Sequence, residues 1–155
     1  MHGRNAICRR CGAVLVEALL AIPVLVLVTF AGAQYAQVVV VEQAVQAAAD
    51  AAAREAAKLS AAPAEQRVES VVNEHVGTFG LTMGNGVRVD LNGRHTPNSD
   101  VDSIPGPPSL PLARQEVGVT VQVQYAATRL PNALSYFGID FSNRIFRATS
   151  VARVR

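Results

Sequence analysis

Tryptophan is absent, aromatic residues make up 5% of the 155-residue chain, and only 17% of residues are charged. With half of its residues apolar, the chain is no acidic or basic disordered polymer. A basic face spread over a folded domain is lacking too. The excess of cations sits at Arg4, Arg9 and Arg10 in the first twelve residues, and from residue 42 onward acids and bases balance. Nucleic-acid binding needs the opposite distribution and is excluded. There is no Gly-rich phosphate loop, no nucleophile elbow and no paired His/carboxylate motif, so no catalytic residues and no cofactor are expected. Cysteine occurs only as Cys8-Arg9-Arg10-Cys11, the spacing of a zinc half-site or redox pair. His2, His75 and His95 are too scattered to complete a metal site.

Charge is missing entirely from Ala18 to Val41. As a helix, such a run is about 36 Å long, enough to cross a hydrocarbon core of about 30 Å with some tilt. Leu19, Leu20, Ile22, Val24, Leu25, Val26, Leu27, Val28 and Phe30 fall within it, and together contribute about −3 to −5 kcal/mol on the insertion scale. No polar stripe interrupts them before Gln34, so the run reads as a membrane helix. The three arginines on its short N-terminal flank place that end in the cytoplasm and the remainder outside. A secretory signal peptide is the competing reading, with Ala31-Gly32-Ala33 as its cleavage site before Gln34.

Two residues of this segment fit neither a plain anchor nor a signal peptide. Glu17 is a carboxylate at the mouth of a membrane helix, where ionisable groups are costly; it is either functional or a headgroup-level carboxylate favoured by the helix dipole. Pro23 removes a backbone donor inside the helix and should bend it.

The stretch Gly12-Ala13-Val14-Leu15-Val16-Glu17-Ala18-Leu19-Leu20-Ala21-Ile22-Pro23 resembles the start of the TadE-like family, the minor pilins or pseudopilins of tight-adherence (Tad/Flp) pilus systems. Gln43 to Ala57 resembles that family's Ala-rich helix. Val117 to Tyr125, the Leu130-Pro131 turn and Ala148 to Arg155 resemble its C-terminal strands. The likeness covers most of residues 10–60 and 115–155 and is weak between them. The Cys8-Arg9-Arg10-Cys11 quartet departs from the family pattern. The resemblance implies a bacterial inner-membrane protein cut by a prepilin peptidase between Gly12 and Ala13. Glu17 then becomes the fifth residue of the mature chain and serves assembly. Other pilin-like subunits, the pilus assembly machinery and the lipid bilayer are the implied partners, and adhesion or secretion the implied process.

Past the apolar run, Val38, Val41, Val45, Ala48, Ala52, Ala56 and Leu59 recur on one helical face, opposite Gln43, Gln46, Asp50, Arg54 and Lys58. The seam is suited to packing on its own domain, on a neighbouring subunit, or on both. Pro63 ends this helix or opens the next. Val68, Val71, Val72, Val76 and Phe79 predict a second, shorter helix stopped between Gly77 and Gly80. Val87, Val89 and Leu91 predict a short strand, residues 93–112 an irregular loop, and Val117, Val119, Val121, Val123 and Tyr125 a second strand. A last strand over 143–155 should put Phe146, Ala148, Ala152 and Val154 on one face. Within the loop, Asn98 to Ser103 alternates oxygen ligands as calcium loops do. It lacks the Gly at the sixth place and has Ser109 at the twelfth, so a solvated loop is favoured. Arg144, Arg147, Arg153 and Arg155 read as a charged sheet edge. The expected architecture is α+β: a leader (1–12), a transmembrane helix (13–41) continuing to residue 62, and a head (63–155) with a small antiparallel sheet of about three strands.

Overall fold

The computed structural model describes residues 4–58, 61–108, 110–113 and 115–154; side-chain placement is described from residue 14 onward, apart from 61–63, Ala133 and Phe137. Two helices precede four strands. They are α1 (Arg4–Ala56), α2 (Ala61–Val76), β1 (Val87–Leu91), β2 (Arg94–His95), β3 (Glu116–Gln124) and β4 (Ile145–Arg153), with single 3-10 turns at Gly77–Phe79, Tyr125–Ala127 and Ala133–Phe137. This is the expected α+β arrangement of a long N-terminal helix on a small antiparallel sheet. The sheet has four strands rather than three, in the order β2-β1-β3-β4.

The additional strand, β2, lies inside the segment read as irregular loop. Asn92 (φ 52°) and Gly93 (φ 80°) are both left-handed, the conformation a two-residue hairpin turn requires, and they return the chain so that Leu91 pairs with Arg94 and Asp90 with His95. The Asn-Gly pair was the sequence signal for this hairpin. β1 pairs with β3 from Val87↔Val123 to Leu91↔Val119, and β3 with β4 from Glu116↔Arg153 to Gln124↔Ile145.

Period-2 alternation sorts the strands into two faces. Val87, Val89, Val119, Val121, Val123, Phe146 and Ala148 are buried against the helices. From α1 the core receives Val38, Val41, Val45, Ala48, Ala52 and Ala56, the face its spacing predicts, together with Ala49 and Ala53. The Ala seam is thus occupied by the chain's own head, where small side chains permit α2 and the sheet to approach closely. From α2 come Val68, Val71, Val72 and Val76. α1 ends at Ala56, short of Leu59, which lies outside the described residues. Pro63 falls in the first turn of α2, where its missing N–H leaves no bond unmade. Gly80 (φ 73°) closes the turn after α2, its N–H donating to the Gly77 carbonyl at 2.9 Å.

Three expectations need correction. The last strand spans 145–153, and Val154 is 42% exposed beyond its end, its N–H turned to the Gln115 carbonyl. Phe79 belongs to the 3-10 turn that follows α2 and only borders the core. The segment 96–112 is irregular and largely exposed, as a loop, but it is not free in solvent: it also covers the second face of the sheet. Ile104 is buried, and a Cβ on Gly118 would meet Leu110 and Leu112. Arg88 spans Asp90 (2.9 and 3.1 Å) and the Ile104 carbonyl (2.9 Å). With both faces covered, β3 is buried continuously from Gly118 to Val123. The polar side chains of that second face (Asp90, Thr120, Gln122) hid this burial from the alternation pattern.

Candidate functional site

α1 divides at Gln34. From Val14 to Phe30 every residue is exposed, including Leu15, Leu19, Leu20, Val24, Leu25 and Val28 at 58–70%. Ala31 is half-buried, and Gln34, at 2%, is the first buried side chain. Residues 14–33 as a helix measure about 30 Å, the thickness of a hydrocarbon core. α1 is long and apolar enough to cross a membrane, and its most apolar stretch makes no buried contact with the head.

Gln34 is also where the head is tied on. Its Nε2 donates to Asn132 Oδ1 (2.9 Å), and its Oε1 accepts the Leu134 N–H (2.9 Å). Asn132 in turn donates to Asp140 Oδ1 (2.7 Å), and Asp140 accepts the Ser142 hydroxyl and N–H at 2.7 and 2.8 Å. These Ser142 bonds, followed by the one from Asn132, hold the Asp140 carboxyl below the usual carboxylate range. The charged acceptor fastens the 132–142 segment to itself, and Gln34 fastens that segment to α1. Residues separated by about a hundred positions meet here, so spacing rules had no means of finding the site.

The residues singled out in the sequence lie along the bare half of α1. Gly12 and Ala13 are in its helical backbone, as are Cys8 and Cys11; their side chains lie outside the described residues. Glu17 is exposed among Val14, Leu15, Val16, Leu19 and Leu20, with no hydrogen bond or ion pair among the described residues. Its carboxylate therefore stands on an otherwise apolar cylinder. α1 is a single helical element through Pro23, which leaves the Leu19 carbonyl without its usual donor four residues on. One turn beyond, the Thr29 hydroxyl is satisfied by the Leu25 carbonyl at 2.8 Å.

The head's polar clusters serve its own folding. Asn98 donates its backbone N–H (2.9 Å) and its side-chain amide (2.7 Å) to the Glu69 carboxylate of α2. Ser99 bonds Thr96 and both backbone groups of Val89. Asp100 accepts the N–H groups of Gly86 (2.8 Å) and Ser103 (3.0 Å). The Asp100 carboxylate and the Ser99 hydroxyl are thus spent on the fold, and no cluster of three metal-ligating side chains occurs among the described residues. Burial alone would raise the Asp100 carboxyl, but the two N–H donors outweigh it and hold it below its ordinary value. Arg147 and Arg153 are exposed on β4, an edge strand, whereas Arg144 precedes the strand and lies 5.6 Å over the Phe146 ring. Arg155 lies outside the described residues.

Comparison with curated proteins and with solved structures gives no match. The family described as TadE-like protein matches residues 12–54, from the glycine before the expected cut to the last turn of α1. That span takes in Glu17, Pro23, the bare apolar half and the Ala seam under the head. Over its long N-terminal helix, from Gly12 to Arg54, the chain is similar to the TadE-like family.

Proposed function

We propose that the chain is a non-catalytic minor pilin or pseudopilin that takes part in assembling a Tad-type pilus and in the adhesion it supports. It crosses the bacterial inner membrane once, N-terminus in the cytoplasm and head outside, and loses residues 1–12 to a prepilin peptidase. The observation that carries this reading is the division of α1. About 30 Å of bare apolar helix bears one carboxylate, Glu17, and joins a packed α+β head without interruption.

Cleavage after Gly12 would create an α-amino group on Ala13, with a pKa of about 7.7–8.0 and mostly cationic near neutral pH. Glu17 lies one helical turn away. In an assembled bundle the amine of one subunit meets Glu17 of its neighbour in surroundings too dry to leave either charge alone, and the pair sets the axial register.

Sequencing the N-terminus of the protein purified from membranes tests the reading. A chain starting at Ala13 is expected, with Gly12→Val retaining the full leader because a side chain obstructs the peptidase. The head's burial begins at Gln34, so a cut before Gln34 leaves the head intact, and finding that start would establish ordinary secretion. A start at Met1 would leave a permanently anchored envelope scaffold.

A further inference from the structure

We propose that the turn from Asn132 to Asp140 is a second membrane contact, a foot that seats Tyr136 and Ile139 in the lipid headgroup layer. This rests on the single-pass reading above. α1 and β4 run in the same direction: Gln34 meets the segment just before β4, and Arg54 and Lys58 border the same groove as Ala152 and Arg153 at the other end. The 125–144 connection therefore lies at the end of the head where the bare helix emerges, and the Asn92-Gly93 turn lies at the opposite end, beside Gly118.

The foot is held at a set height. Gln34, the first buried residue after the apolar run, grips it by two hydrogen bonds, and Asp140 braces it through Asn132 and Ser142. Leu134 is buried as its inner anchor, while Tyr136 is 91% exposed and Ile139 50% exposed. A Tyr so exposed on a braced turn, level with the end of a membrane-length helix, has the ring and hydroxyl that favour the boundary between hydrocarbon and water. On α1 itself, Tyr35 is 71% exposed at the same level. Arg129 and Arg144, both exposed, flank the foot in the chain and are suited to lipid phosphates. A foot of this kind would fix the head's tilt on the bilayer before any neighbour joins.

Because the chain has no Trp, one indole reports cleanly. The full chain is reconstituted in phosphatidylcholine/phosphatidylglycerol vesicles whose acyl chains are brominated at shallow or deep positions. Three variants are compared: Tyr136→Trp, Phe30→Trp within the bare helix, and Arg94→Trp at the far end of the sheet. For Tyr136→Trp the expected result is blue-shifted emission, with shallow bromines quenching it at least about twofold more than they quench Arg94→Trp. Emission from Tyr136→Trp as water-like and unquenched as that from Arg94→Trp, while Phe30→Trp is quenched, overturns the foot and leaves the membrane helix standing. Blue-shifted emission without bromine quenching means that protein covers the turn, which also overturns it. If Phe30→Trp itself escapes quenching, the single-pass reading fails, and the foot with it.

Discussion

Glu17 is the residue whose environment in the isolated chain and in an assembly differ most. Alone, it sits exposed on an apolar helix with no partner among the described residues. A headgroup-level carboxylate needs none, because water solvates it. Packed among other helices, it needs a cation, and removing one partner of a desolvated pair costs about 3–5 kcal/mol. Glu17→Gln or Glu17→Ala should therefore leave membrane insertion and processing at Gly12 unchanged, and lower co-purification with other pilin-like subunits at least about tenfold. Piliation should fall in parallel. Unchanged co-purification and piliation would assign Glu17 to the headgroup layer alone.

At the scale of elements, the segment 96–112 is a largely exposed irregular loop that is also strapped over the sheet. Asp100 is one of its fastenings, joining it to Gly86 just before β1. Its carboxyl is held below the ordinary 3.8, so its contribution to stability is complete above that value and is lost as pH falls through the lower folded one. Asp100→Asn cannot titrate. It should lower the head's stability by about 2 kcal/mol at neutral pH, as expected for hydrogen bonds to a charged acceptor, and show a smaller further loss on acidification than the unaltered protein. Thermal melts in detergent at neutral and acid pH measure both effects. An equal acid-side loss in variant and parent would remove Asp100 from the account. The two faces of β3 show what such fastening achieves: Gln122 and Thr120 are about as buried as Val119, Val121 and Val123 beside them.

For the whole molecule, the charge distribution and the division of α1 make one topological statement. Three arginines precede the apolar run, and the head follows it. With Cys8 and Cys11 replaced by Ser, an Asp102→Cys variant carries its only thiol on the exposed strap. A membrane-impermeant maleimide should label it from the periplasmic side of intact cells. Labelling only after the cytoplasm is opened would reverse the orientation and undo the assembly scheme built on it.

Periodicity and composition by themselves determined the long helix, its buried Val-Ala face from Val38 to Ala56, the shorter helix stopped before Gly77, and three strands. Each of these is specified by side chains a few positions apart whose spacing of 3.6 or 2 is a direct record of which face meets the core. The Gly12-to-Pro23 motif was likewise a local pattern, and the family match extends over it. The Asn92-Gly93 hairpin was equally local but was masked by the Gly, Pro and Asn residues that follow it. What only the tertiary structure decided has no short-range record. Gln34 gripping Asn132 and Leu134, Glu69 reaching Asn98, and the strap burying the polar face of β3 all join positions far apart in the chain. Polar side chains advertise solvent to their neighbours in sequence. They become buried only when a distant backbone supplies the missing donors and acceptors, and that supply exists only once the chain has folded.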